Sequence, residues 1–460
     1  MVCLQCGELS LEDPYAFRCP NADSQTGTLH AVAPRGHYSI PQDHEEDQPF
    51  VRFREGLASY HFARHHGLSD EDYVELVRNL DERIASVAGR GFRFTPLVCS
   101  EDLAHDLALA EGAAVWIKDE TQGVADSHKA RHLMGIAIQL EVAARLGFEP
   151  ARKPDLAIAS CGNAALAAAV LAKAMRRTLD VFVPTWAAQD VVDRLHELGA
   201  RIVSCDRMPG SKGDPCMSRF KDAVQQGSIP FTVQGSMNCF TLDGGKTLLW
   251  ELETQQRRSG PEQFTMTSVQ VGGGALATAL AMNLRRNGKG GFYRPLGMFH
   301  CVQTAGAHPL ERAWSRVAEG VRNRLGVAQA GTPREEANRM RAYSGERIEE
   351  LLNAAKNPDR YMWPWESEPH SIATGILDDE TYDWYDLLHE MTFSGGRPIV
   401  VDDSTIAKAT QRAHELTGIC VSPTGASGLA GLYALADAGE LCDGELFARG
   451  SPLVLFTGVR

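Results

Sequence analysis

Asp126-Ser127-His128-Lys129-Ala130-Arg131 is the stretch on which the reading of this chain turns. It lies between a short apolar run, Ala113-Ala114-Val115-Trp116-Ile117, and a helical pattern, Leu133-Met134-Gly135-Ile136-Ala137-Ile138-Gln139-Leu140. Lysine rarely goes inside a protein unless it is paired or chemically used. A lysine where a strand-following loop enters a buried helix therefore reads as a nucleophile. Desolvation would lower its pKa and expose an amine able to form a Schiff base with an aldehyde. The plainer alternative is a surface lysine in the first turn of a helix.

Around that stretch the chain is ordinary in bulk. It has 460 residues, 43% hydrophobic and 23% charged, enough for two or three domains with a full core. The formal net charge of −13 argues against nucleic acid or an anionic membrane as partner. No apolar run approaches the roughly 20 residues of a membrane helix. The N-terminus lacks a basic region followed by an apolar core, so no secretory signal is expected. The 11 cysteines are then expected to be reduced thiols in a cytoplasmic protein.

Cys3, Cys6 and Cys19 look like a zinc ribbon, but Ala22 stands at the fourth position, and Asp23 or His30 would have to substitute. Tetrahedral structural sites need four good ligands, so no metal is expected. Residues 1–50 read as an N-terminal extension with this degenerate pattern and a Pro- and acid-rich linker. Two helices follow, Phe53 to His66 and Ser69 to Ala88, the second with Ser69 as N-cap. Beyond residue 100 strands and helices alternate. Expected strands are Leu156–Ala159, Leu179–Pro184, Arg201–Ser204, Phe231–Val233, Ser268–Val271, Pro398–Val401 and Leu453–Phe456. This rhythm predicts an α/β fold with open, twisted parallel sheets. Residues 333 to 370 break it: Arg334 to Ala355 reads as one charged helix, followed by Tyr361-Met362-Trp363-Pro364-Trp365, either a lid or a face packed by aromatics.

In open α/β sheets ligands collect at the carboxyl ends of strands, and three loops lie at such ends. Ser160-Cys161-Gly162-Asn163-Ala164 opens a helix, whose N–H groups suit a carboxylate. Gly272-Gly273-Gly274-Ala275-Leu276 lets backbone amides approach a phosphate. It is neither Gly-x-Gly-x-x-Gly nor a P-loop, so a dinucleotide or nucleotide fold is not indicated. Thr457-Gly458 ends the last strand with a hydroxyl. Taken singly, each loop could be an ordinary strand-to-helix connection.

A lysine, an Asn-bearing anion loop, a triglycine loop and a terminal hydroxyl, in that order, resemble the fold-type II pyridoxal-phosphate enzymes, the tryptophan synthase β superfamily, and are most similar to threonine synthase. Further likenesses are Thr95-Pro96-Leu97, Lys118-Asp119-Glu120, Gly244-Gly245-Lys246-Thr247, Ser394-Gly395-Gly396 and Ser422-Pro423-x-Gly425-Ala426. The resemblance implies two parallel-sheet domains with pyridoxal 5'-phosphate (PLP) between them, a large one at 51–135 and 245–460 and a small substrate-closing one at 136–244. It implies Lys129 as the Schiff-base lysine, Asn163 on the ring's 3-hydroxyl, Gly272 to Leu276 around the phosphate, and Thr457 facing the pyridine nitrogen. Ser127 and Ser160 to Ala164 would hold the substrate. A homodimer acting on a small amino acid is likewise implied.

The chain departs from threonine synthase where that family grips substrate phosphate. Here the segment reads Gly235-Ser236-Met237-Asn238-Cys239-Phe240-Thr241-Leu242-Asp243-Gly244. Ser236 is retained, Gly235 replaces Asn and Thr241 replaces Arg. A lost charged hydrogen bond is worth roughly 1.5–3 kcal/mol, so O-phosphohomoserine is disfavoured. Thr374-Gly375-Ile376-Leu377-Asp378 also lacks the family's arginine. His128 precedes the lysine in place of an aromatic residue and is a candidate acid/base; the alternative is a histidine turned away from the site. Cys161 stands in place of Ser or Thr in the carboxylate loop, there for its backbone N–H or as a thiol with redox or nucleophilic use. The expected activity is β- or γ-elimination, with or without replacement. Alternatives are a serine/threonine ammonia-lyase, a threonine synthase with an altered phosphate site, and a non-catalytic PLP-binding protein.

Overall fold

The computed structural model describes residues 2–3, 13–18, 32–33, 40–41, 45–148, 150, 153–206, 213–281, 296–441 and 451–460. Cys6, Cys19, Asp23 and His30 of the expected ribbon lie outside these residues. Among the described residues no group of His, Cys, Asp and Glu could hold a metal, and no helix is long and apolar enough to cross a membrane. The chain forms two compact units, Met1–Phe94 with Gln122–Glu251, and Thr95–Thr121 with Leu252–Arg460. These boundaries differ from the division at 135/136 and 244/245 drawn from the sequence. The lysine helix packs within the first unit, against Asn163–Ala174 and Asp70–Ala88.

The first unit holds a four-stranded parallel sheet, ordered Arg201–Cys205, Leu179–Pro184, Leu156–Ala159, Ile229–Pro230. Leu156–Ala159 and Leu179–Pro184 are nearly continuous apolar runs, as parallel strands covered on both faces must be. The expected strand at Phe231–Val233 lies two residues earlier; only Phe231 N–H still pairs, donating to the Ala157 carbonyl at 2.9 Å. Proline at 230 can end a strand but not continue its ladder. Helix Asp70–Ala88 starts where expected, with Ser69 Oγ accepting from Asp72 N–H at 3.0 Å, and ends at Gly89 with φ +79°. Helix Lys129–Arg145 is buried on every side from Ala130 to Leu140, so its apolar residues carry no single-face pattern.

The second unit holds a six-stranded sheet ordered Pro398–Val401, Met298–Thr304, Met266–Gln270, Pro452–Phe456, Val115–Asp119, Leu97–Ser100. All neighbours are parallel except the last pair. The parallel register of Pro452–Phe456 with Met266–Gln270 brings their carboxyl ends side by side, so Thr457 and the triglycine loop share one edge. Strand Met298–Thr304 and helices Glu101–Asp106, Pro215–Gln225 and Pro309–Leu325 are additions to the sequence reading. His300, Gln303 and Thr304 interrupt the strand's apolar character, so its pattern in the sequence is weak.

The single helix expected from Arg334 to Ala355 is two, Pro333–Ala342 and Ser344–Lys356, broken at Tyr343 (φ −96°, ψ 73°). Thr332 and Glu335 form a capping box on the first. Met340, Leu351 and Ala354 are buried, and both helices pack on Pro309–Leu325 and Trp384–Ser394. Of the two readings, packed face and lid, the burial supports the packed face. The aromatic run grips Arg312, whose guanidinium carbon lies 3.8 Å from the Trp363 ring centre and 5.2 Å from Trp365.

Candidate active site

In the first unit the chain turns sharply before the lysine. Ala125 (φ 56°) and Asp126 (φ 56°) are consecutive left-handed residues, neither a glycine. Each such residue costs about 1–2 kcal/mol, and strain of this kind concentrates at functional sites. Asp126 is held by Arg90, 3.5 Å away. Ser127 follows, 1% exposed, with Oγ lacking any hydrogen-bond partner. A buried hydroxyl without a partner costs about 1–3 kcal/mol, and a bound ligand would relieve it. Lys129 is the first residue of its helix and is half-buried. Among the described residues Lys118 is a lysine with no exposure at all; its Nζ donates to Thr95 O at 2.7 Å and Gln255 Oε1 at 2.9 Å and so serves the fold of the second unit.

His128 is buried and meets His132 edge-on at 5.6 Å. His132 is fully buried; burial first, then the charge of Lys129, push its pKa down to about 3, so the ring is neutral. Its Nδ1 lies 2.8 Å from the Thr241 carbonyl, an acceptor, so Nδ1 carries the proton. The segment carrying Thr241 is locked to the lysine helix by two glycines. A Cβ at Gly135 would stand 2.3 Å from Phe240 O, and one at Gly244 2.1 Å from Arg131 O. Thr241 Oγ1, 0% exposed, has no partner, and Ser236 is buried nearby in sequence. Arg131 pairs with Glu251 at 2.9 Å, and Lys246 pairs with Asp243.

Ser160, Cys161, Gly162 and Asn163 are half-buried, and Ala164 is buried. Asn163 begins helix Asn163–Ala174, with Gly162 as N-cap. A Cβ at Gly162 would meet nothing within 4 Å. The N–H groups of the first turn have no intrahelical acceptor, so this mouth can receive a carboxylate.

In the second unit Gly272–Gly274 joins Met266–Gln270 to helix Ala275–Ala281. A Cβ at Gly272 would stand 2.3 Å from Asp378 Oδ2, one at Gly273 2.9 Å from the Tyr382 ring, and Gly274 has φ +103°. A side chain at any of the three would be crowded or strained, so glycine is what lets the backbone run this close to its neighbours. Ala275 and Leu276 are buried. Thr457 is buried and accepts from Gln270 Nε2 at 2.6 Å.

A family model described as "Pyridoxal-phosphate dependent enzyme" matches residues 89–448, which span all of these groups except Thr457. The chain belongs to this family. PLP is therefore its cofactor, and the fold is that of fold-type II enzymes. The residues of each unit have chemistry that suits such a group: in the first an amine, Lys129, next to Ser127 with its unpartnered hydroxyl, and in the second a glycine loop without side chains and the Thr457 hydroxyl. Among solved structures the PLP-dependent chain is similar to maize serine racemase, at 17% identity and TM-score 0.54, covering 84% of this chain and 94% of that one. It is similar to threonine deaminase isoform 2 from Solanum lycopersicum, at 14% and 0.55, covering 93% and 96%. It is similar to diaminopropionate ammonia lyase from Escherichia coli, at 19% and 0.55, covering 84% and 88%. At these identities the likeness concerns the fold. No curated protein matches the chain in sequence.

The structure brings Ser127, His128, Lys129, Ser160–Ala164, Ser236 and Thr241 into the first unit, and Gly272–Leu276 and Thr457 into the second. Sequence reasoning missed His132, Gln270 and Asp378. His132 had a signal, since it lies three residues after Lys129 on the same helix face. Gln270 and Asp378 had none, because their neighbours are distant in the chain.

Proposed function

We propose that the chain is a PLP-dependent lyase or synthase that carries out β- or γ-elimination, with or without replacement, on an amino acid lacking a phosphate. The observation that carries the reading is the state of two cations of the first unit. Arg131 and Lys246 are both buried and ion-paired, and Thr241 stands where threonine synthases carry a phosphate-gripping arginine. A substrate phosphate would find hydroxyls there and would have to break a buried ion pair to gain a cation, which costs about 3–5 kcal/mol. That argues against a threonine synthase of the usual kind.

PLP supplies the aldehyde for covalent attachment and the electron-withdrawing ring. This chain's residues supply the rest. Lys129 offers the amine and moves the proton at Cα. Ser160 to Ala164 fix the substrate carboxylate at a helix N-terminus. Asn163 would hold the ring's oxygen, and the amides of Gly272 to Leu276 would hold the phosphate. Thr457, a neutral hydroxyl, would face the ring nitrogen without protonating it, which would favour elimination. His128, which meets the neutral His132 edge-on, would move a proton to the leaving group.

The neighbouring structures include a threonine deaminase and a diaminopropionate ammonia lyase, which makes the ammonia-lyase branch the first to test. Holoenzyme is incubated with serine, threonine, homoserine, 2,3-diaminopropionate and O-phosphohomoserine, followed by assay of keto acid, ammonia, threonine, phosphate and chirality. Keto acid and ammonia from an unphosphorylated amino acid are expected. Rapid phosphate release from O-phosphohomoserine, or a D-amino acid as the sole product, overturns the reading.

A further inference from the structure

Gln270 closes the strand Met266–Gln270 and is 5% exposed. Its side-chain nitrogen faces three oxygens: Thr457 Oγ1 at 2.6 Å, the Gly425 carbonyl at 2.9 Å and the Leu455 carbonyl at 3.3 Å. The chemistry of the partners fixes which way round the amide sits. Carbonyl oxygens only accept, so the atom facing two of them must be the NH2 group. Turned over, the amide would set its oxygen against both carbonyls and lose their hydrogen bonds. The two carbonyls belong to the strand ending at Phe456 and to the first turns of helix Pro423–Asp437, so the orientation is built into the backbone.

The consequence passes to Thr457. A hydroxyl has one hydrogen to give and two lone pairs to receive with. Gln270 occupies one lone pair, and a hydroxyl that accepts becomes a stronger donor. Thr457 is therefore biased to meet a ligand as a donor. A pyridine nitrogen that accepts a hydrogen bond keeps its lone pair and carries no proton.

We propose that Gln270 is a positioning residue which, through Thr457, holds the ring nitrogen of bound PLP unprotonated. This rests on Thr457 facing that nitrogen, as in the proposed function. The mild electron sink is then a property of a donor chain, amide to hydroxyl to ring, rather than of the threonine alone.

The test uses the full-length holoenzyme loaded with PLP carrying 15N at the ring nitrogen. The 15N chemical shift, read across pH, reports protonation directly and needs no turnover. Wild type is expected to stay at the unprotonated position. Gln270→Glu replaces the donor by an acceptor that takes the Thr457 hydrogen, and the resonance is expected to move to the protonated position. Gln270→Met removes the donor without adding charge, and the nitrogen's proton affinity is expected to rise roughly ten-fold, the scale of one hydrogen bond. If Gln270→Glu does not fold, Gln270→Met decides alone. If Thr457→Val shifts the resonance while the Gln270 variants that bind PLP keep the wild-type shift, the inference is wrong and the Thr457 assignment stands. If Thr457→Val leaves the shift unchanged, the assignment itself fails and the inference with it.

Discussion

At the scale of the residue, two side chains carry the cofactor assignment to experiment. Lys129→Ala removes the amine that would bond the aldehyde. The visible absorption band of the holoenzyme is expected to disappear, with free PLP recovered by filtration; a band that survives the substitution places the attachment elsewhere. Asp378 sets a carboxylate against the triglycine loop proposed to hold the PLP phosphate, its Oδ2 only 2.3 Å from where a Gly272 Cβ would stand. Like charges at close range repel. Asp378→Asn is therefore expected to tighten PLP several-fold, measured as Kd by absorbance titration. Unchanged affinity would show that the acid points away from the phosphate. The sequence showed the lysine and the glycines, because both are unusual residues for their positions. It did not show Asp378, because folding alone brings that distant acidic stretch to the loop.

At the scale of the element, the lysine helix and the segment at 240–244 touch backbone to backbone, and this contact holds His132 on the Thr241 carbonyl. A methyl at Gly135 would stand 2.3 Å from one main-chain atom and 2.6 Å from another, which cannot swing aside as a side chain can. Gly135→Ala is expected to cost about 2–3 kcal/mol, as overpacked cores do, seen as a lowered Tm. The contrast is Gly345, exposed in the first turn of Ser344–Lys356, where an added methyl group would meet nothing within 4 Å. Gly345→Ala is expected to raise stability by about 0.5–1 kcal/mol, the gain from removing a flexible residue in a helix. Equal effects at the two sites would show that propensity, not contact, governs both. The sequence pattern located most helices to within a few residues because their caps are local: Ser69, Gly89 and Thr332 act on their own chain neighbours. It joined Pro333–Ala342 to Ser344–Lys356 because the break at Tyr343 follows from how the two helices pack.

At the scale of the molecule, each unit carries, among its described residues, a histidine that burial keeps neutral. His132 is pushed down to about 3, and His300, buried beside Arg397, to about 4. Both lie below the usual value of about 6.5. The unfolded chain therefore binds more protons than the folded one between those values, and stability rises with pH there. Stability is expected to be full above about pH 6.5 and to fall progressively as pH drops toward 4. His132→Gln should lessen this acid loss within the first unit and leave the second unit's unchanged, read by urea unfolding at several pH values with fluorescence and hydrogen exchange. An acid response identical to wild type would mean that His132 takes up its proton without unfolding.

By itself the sequence determined the α/β class, the order of most strands and helices, and the loops at strand ends that bear Lys129, Asn163, the three glycines and Thr457. It could do so because periodicity, capping and glycine chemistry act over a few residues. Only the tertiary structure decided that Lys118 lies fully inside, that Arg131 and Lys246 are already paired, and that Gln270 aims a nitrogen at Thr457. Those facts depend on groups up to 187 residues apart in the chain, and burial and hydrogen-bond direction exist only once such groups have met.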